Sequence, residues 1–212
     1  MTPHAAHAPN VEYACLVALG DDRVGQVHQV TSFLLAEKVS IASIRAAALG
    51  SEFALLAHFH GTAGQVRQVE AAVPRLQSSS SLSVLFHKSK EAVPAFEEHT
   101  PTHDVFVAAY DAAGIVSELA AVLAKHNVNI ERLGGDVYPA PNQGVPLFTI
   151  NASVRLPAGT SETAVAADLE ALRERRGWAD ADLAPHGRYD SSALAGAPSF
   201  PPGPPWTRQA SE

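Results

Sequence analysis

An aspartate stands three residues before a glycine at Asp22–Gly25 and again at Asp111–Gly114. Each glycine opens an amphipathic run, so each aspartate lies near the start of a helix. First-turn N–H groups lack partners there, and the positive end of the helix dipole favours a carboxylate or a bound anion. The other residues with chemical potential form no such pattern. The chain has ten histidines, of which His58 and His60 alternate onto one strand face, where both imidazoles can reach one metal ion. No third ligand stands at a motif spacing, so no metal is assigned. Cys15 lies in an apolar strand with no histidine beside it in sequence and reads as a small buried residue. A nucleophile needs a nearby base, and an enzyme usually needs several convergent polar groups; neither is legible. There is no P-loop and no G-x-G-x-x-G, which leaves nucleotide binding unsupported. The expectation is a chain with no catalytic residues, no metal and no cofactor.

The elements that position the two aspartates are themselves repeated. Asp22 to Ile41 reads DRVGQVHQVTSFLLAEKVSI and Asp111 to Ile130 reads DAAGIVSELAAVLAKHNVNI. Gly114 minus Gly25 is 89, and so is Ile130 minus Ile41, so the phrases align without a gap. Around the first, VEYACLVAL reads as a strand. Val27, Val30, Phe33 and Leu34 make one helical face, and VSIASIRAAALG is the next strand. Gly50 and Ser51 make a hairpin turn. In EFALLAHFH, Phe53, Leu55, Ala57 and Phe59 point one way. A second helix follows with Val66, Val69 and Val73 on its buried stripe, and Pro74 is expected to tighten or end it. SLSVLFHK closes the unit. After a polar, Pro-containing stretch the order restarts: DVFVAAY, a helix with Leu119, Val122 and Leu123 inward, VNIERLGGDVY, LFTINASVRL, a helix at SETAVAADLEALRERRG, and WADADLAPH. The LGG run is expected to bend or bulge its strand. Phe53 and Leu147 differ by 94, which places about five extra residues in the second hairpin loop, PAPNQGVP. Glu170 to Arg176 reads as a solvated helix face.

The expected fold is α+β: two β-α-β-β-α-β units of the ferredoxin-like type, each a four-stranded antiparallel sheet with two helices on one face. The division is 1–10 as an N-terminal tail, 11–87 as the first unit, 88–103 as a linker, 104–185 as the second unit and 186–212 as a tail. That last segment is rich in Pro, Ser, Gly and Ala and cannot build a core; it reads as disordered, with a docking peptide as the alternative. A net charge of -7 and a pI near 5.8, with no cluster of Lys and Arg, argue against a nucleic-acid-binding face. The first ten residues lack the basic start and apolar core of a signal peptide, no apolar stretch approaches the ~20 residues of a membrane span, and one cysteine forms no internal disulfide. A cytoplasmic protein is expected.

A strand, D-x-x-G, a helix and then x-V-N-I at the next strand resembles the ACT domain, a small regulatory module that often binds amino acids. Two such units with no enzyme attached resemble the glycine cleavage system transcriptional repressor family. The likeness covers about 11–87 and about 104–185. It departs from the family's common form where Pro precedes the Gly; here those positions are Val24 and Ala113. The resemblance implies a non-enzymatic regulator that binds a small amino acid between ACT units and modulates a protein partner, such as a transcription factor of glycine metabolism. It implies ligand contacts at Asp22, Gly25, Gln26, Val27 and Ser40, and at Asp111, Gly114, Ile115, Val116 and Asn129. The aspartates would accept from the ammonium, the helix N-terminus would take the carboxylate, and Asn129 offers both a donor and an acceptor. The expected partners are an amino acid, a regulatory protein and a second copy in a homodimer, with no nucleic acid and no membrane. The alternatives are a constitutive protein-interaction module, or a regulatory subunit of a metabolic enzyme, with no small-molecule ligand.

Overall fold

The computed structural model describes residues 11–89, 102–139 and 146–187. The N-terminal tail, most of the 88–103 linker, the core of the PAPNQGVP loop and the tail from 188 lie outside the described residues. The described chain forms two compact units. The first runs β1 (Val11–Asp21), α1 (Gln26–Ala36), β2 (Ser40–Leu49), β3 (Glu52–Thr62), α2 (Ala63–Ser80) and β4 (Ser83–Ser89). The second runs β5 (His103–Tyr110), α3 (Ile115–Lys125), β6 (Asn129–Pro139), β7 (Pro146–Arg155), α4 (Glu162–Arg176) and β8 (Asp180–Pro185). Strand orders are β2-β3-β1-β4 and β6-β7-β5-β8, antiparallel throughout. Both units are therefore the ferredoxin-like α+β arrangement.

Alternation builds each core. In β1, Ala14, Leu16 and Ala18 are fully buried, and in β3 so are Phe53, Leu55, Ala57 and Phe59. They pack under Val30, Phe33 and Leu34 of α1 and Val66, Val69, Val73 and Leu76 of α2. In the second unit Val105, Val107, Ile150, Ala152 and Val154 meet Ile115, Leu119 and Leu123 of α3 and Val165, Leu169 and Leu172 of α4. Each large side chain buried this way contributes about 1.5–3 kcal/mol.

The polar-Val-polar-Ile ending of the repeated phrase has a local cause. Lys38 and Asn127, 89 residues apart, take left-handed backbone at φ 59° and 56°. Lys38 N–H then donates to Leu35 O and Val39 N–H to Leu34 O; Asn127 N–H donates to Ala124 O and Val128 N–H to Leu123 O. This bond pair ends each helix, and the valine that makes the longer bond is buried in each core.

Four expectations need correction. Val27 is 46% exposed; the buried stripe of α1 is Gln26, Val30, Phe33 and Leu34. Pro74 does not end α2, which continues to Ser80. Pro74 lies on the exposed face, where water can take the carbonyl its missing N–H leaves free. The LGG run keeps regular pairing; the register shift in β6 falls between Ile130 and Arg132, matching one in β2 between Ile41 and Ser43. Gly135 instead makes room for a ring: a Cβ there would lie 2.8 Å from Phe148 Cζ. Finally, Glu52 faces Asp21 and Leu147 faces Tyr110. Since 147 minus 52 is 95, the second hairpin carries six extra residues against the offset of 89.

Candidate functional site

Gly25 and Gly114 are the N-caps of α1 and α3, at φ 97° and 100°. A side chain would be strained in that left-handed backbone, which explains a glycine at both positions. Nothing lies within 4 Å of where a Cβ would stand on either, so both turns are open above the glycine. Neither helix has a side-chain cap. Asp22 and Asp111 therefore do not cap; their carboxylates are exposed, and among the described residues they have no hydrogen-bond or ion-pair partner. Their backbones are anchored instead. Asp22 N–H donates to Ser51 O at 2.7 Å and Asp111 N–H to Pro146 O at 3.1 Å, which ties each turn to the start of the following hairpin strand.

The two turns differ just past the glycine. Gln26 is buried and its carboxamide folds back over the turn: Nε2 donates to Asp21 O at 2.5 Å, and Oε1 accepts from Arg23 N–H at 3.4 Å. Arg23 also reaches Asp21 Oδ2 at 2.5 Å. The equivalent of Gln26 in the second unit is Ile115, buried in the core, and the equivalent of Arg23 is Ala112. Val27 and Val116 follow, both partly exposed beside their turns at 46% and 37%.

Ser40 and Asn129 are exposed, but each stands at the far end of its own unit. Tyr110, beside the turn, pairs with Leu147, whereas Asn129 pairs with Arg155 at the opposite end of β7. The 11 residues of α3 alone span about 16 Å between them. Asn129 Nδ2 donates to Glu131 Oε1 at 2.7 Å, and Glu131 in turn pairs with Arg155 at 3.1 Å. The Oδ1 acceptor of Asn129 makes no bond among the described residues. Within one unit, then, the turn and the strand position are not brought together.

The sheet faces away from the helices hold chemistry that local sequence spacing could not reveal. Register places Cys15 between His58 and His87, one on each neighbouring strand. Cys15 is half-buried on that face and not in the core. His58 and His60 share the face, as expected; the His58 ring stacks on Tyr13 at 5.6 Å, and its Nε2 is 2.7 Å from Ser89 Oγ. Among the described residues no three such side chains are placed to hold a metal ion. In the second unit the corresponding place is taken by Asp104, buried, which accepts from Ser153 Oγ at 3.0 Å, His186 Nδ1 at 2.8 Å and Gly187 N–H at 2.8 Å. This carboxylate latches the end of β8 to β5. Its partners are 49 to 83 residues away, so only the folded register could find it.

Two groups on the same face have shifted acidities. Burial, and then the neighbouring Asp182, push the Asp180 carboxyl up. Burial, and then Asp136, push the Tyr138 hydroxyl up. On the helix side Asp168 is held down by hydrogen bonds from Lys125 and His126. Glu170 is held down by Arg173, so the 170–176 run is a paired face; Arg176 also pairs with Glu118.

Residues 12–87 match the ACT domain family. The glycine cleavage system transcriptional repressor of Escherichia coli (strain K12) is 23% identical over 164 residues, which cover 76% of this chain and 83% of that protein. A crystal structure of an unknown protein from Galdieria sulphuraria superposes with a TM-score of 0.68 at 28% identity, covering 82% of this chain and 98% of that one. A second crystal structure, of a protein described as a glycine cleavage system transcriptional repressor, superposes with a TM-score of 0.65 at 20% identity, over 82% and 97% of the two chains. No helix among the described residues is long and apolar enough to cross a membrane. Residues 12–87 match the ACT domain, a second unit of the same topology follows, and the chain as a whole is similar to the glycine cleavage system transcriptional repressors.

Proposed function

We propose that this chain is a non-enzymatic, cytoplasmic regulator that responds to a small amino acid. The observation that carries this reading is the Asp111–Gly114 turn: an uncapped helix start, open space above the glycine, and an exposed carboxylate with no partner among the described residues. An α-amino acid carries the two charges such a turn favours. Its carboxylate fits the free first-turn N–H groups and its ammonium fits Asp111. Val116, partly exposed beside the turn, supplies apolar contact. Gly114 keeps the approach clear.

The separation of the turn from the strand start has a consequence for the site. A ligand that touches both Asp111 and a residue of the Ser40 or Asn129 type draws the second from a neighbouring ACT unit. Binding then stabilises one packing of units over another, and the difference in affinity between packings is what a partner protein reads. The net charge of -7 favours a protein partner, such as a DNA-binding regulator, over DNA itself. The names of the relatives point to glycine metabolism as the setting. A homodimer fits the same scheme.

The test is a heteronuclear NMR titration of the full chain with glycine and then L-serine. Amide signals of Asp111 to Val116 should shift, together with those of Ser40 or Asn129. Unchanged spectra with both, and with the remaining common amino acids, would overturn the reading.

A further inference from the structure

Each sheet has one face away from its helices, and the two faces differ in cover. On the first unit's face Cys15, Val17 and His58 are half-buried and His87 is exposed. The positions that match them in register on the second unit's face are Asp104, Phe106, Ser153 and Ala184, and all four are buried. Phe106 is the telling one. It is larger than Val17 yet only 8% exposed, and it stands outside the helix-side core, which Val105 and Val107 enter from the same strand. Burial also pushes up the carboxyl of Asp180, which shares this face. The end of β8 shows where the cover starts. His186 N–H donates to Thr102 O, and its ring meets Asp104 Oδ1 at 2.8 Å. Gly187 then takes left-handed backbone at φ 93° and donates its N–H to Asp104 Oδ2 at 2.8 Å. A backbone N–H bound to a side chain that stands on the face places the chain above the sheet, and glycine makes the turn there without strain. The entering chain does otherwise: Thr102 N–H pairs with Val154 O, so it arrives in the plane of the sheet.

We infer that the chain past Gly187 turns back over this face as a strap, with Tyr189 over the Phe106 ring and Arg188 against the carboxylates of β8. Two equal strides bring the rings together. Phe106 lies two residues along β5 from Asp104, about 7 Å, and Tyr189 lies two residues on from Gly187, whose N–H Asp104 holds. Aromatic pairs gain from offset or edge-on contact at such separations. Charge agrees with the placement. Asp182 is the cross-strand neighbour of Phe106, and Asp180 is the next residue on that face, so Arg188 meets two carboxylates that a guanidinium suits. Asp104 is then the positioning residue of the strap, since it fixes the point from which the chain turns back. The strap closes the second unit's open face to other proteins. The first unit's face, where Leu19, Leu56 and Leu85 are exposed, is left as the open one.

NMR of the full chain with labelled aromatic rings tests this. Expected are nuclear Overhauser contacts between the Tyr189 and Phe106 rings in the wild type. Tyr189→Ala should shift the Phe106 ring signals, whereas Trp206→Ala, further along the tail, should leave them in place. Arg188→Glu sets like charges against Asp180 and Asp182 and should weaken the same contacts. Contacts from the Phe106 ring to residues 90–101 or to the first unit, in place of Tyr189, would overturn the inference. So would contacts that appear only as protein concentration rises, which would make a second copy the cover, or Phe106 signals unmoved in Tyr189→Ala. Contacts at full strength in Arg188→Glu would overturn the part assigned to the arginine. If a variant does not fold, the wild-type contacts decide alone.

Discussion

At the scale of single residues, Asp180 makes a sharp case for how position sets chemistry. It shares a sheet face with Asp182 two residues on, and burial and that neighbour both disfavour its charged form. Its pKa is therefore higher folded than unfolded. Below the unfolded value, near 3.8, the group is protonated in both states and costs nothing. As pH rises through the folded value the carboxyl must ionise where ionisation is penalised, so the folded state loses stability. Asp180→Asn should raise the melting midpoint at neutral pH and leave it unchanged below the carboxylate range; an equal effect at both would contradict the assignment. Asp168 has the opposite sign, since its folded pKa is lowered by Lys125 and His126, and its contribution fades as pH falls through the folded value. Neither shift was legible in the sequence, because each depends on burial or on partners up to 43 residues away. The glycines were legible, since a bend at φ near 100° leaves few alternatives to Gly. Gln26 was half legible: it was named for ligand contact, whereas its burial and its bonds to Asp21 O and Arg23 N–H depend on the folded turn.

At the scale of elements, periodicity placed the strands and helices because alternation and the 3.6-residue stripe are strong signals in cores as apolar as these. The failures have local physical reasons. Val27 satisfied the three-residue spacing, but the stripe runs through position 26, where a polar residue hid it. Aligning the copies and noting Ile115 would have shown it. Pro74 was tolerated because it faces water. The bulges at the starts of β2 and β6 leave no compositional mark. The helix stops were visible as a motif, and the structure supplies its meaning in the Lys38 and Asn127 turns. Asparagine accepts left-handed backbone more readily than lysine, so the first unit carries strain the second does not. Lys38→Gly should stabilise the first unit by about 1 kcal/mol in denaturant unfolding. A loss of stability would mean that the lysine side chain contributes more than its backbone costs.

At the scale of the whole molecule, the chain repeats one fold with two different sets of exposed groups. The first unit shows Tyr13, Cys15 and histidines on its open sheet face, and the second an aspartate latch and an acidic β8. The fold class was readable from one repeated phrase, because topology follows from the order of periodic segments. The candidate site was readable only in part, because one unit places Asn129 and the Gly114 turn at opposite ends of a helix. The measurement that tests the central claim most directly is thermal unfolding of the full chain in millimolar amounts of each of the twenty amino acids, beside Asp111→Ala. A ligand at a hundredfold over its Kd adds about 2.7 kcal/mol, enough to raise the midpoint by several degrees. The account expects such a rise with a small amino acid and its loss in the variant. No rise with any of them, or a rise that Asp111→Ala keeps in full, would contradict it.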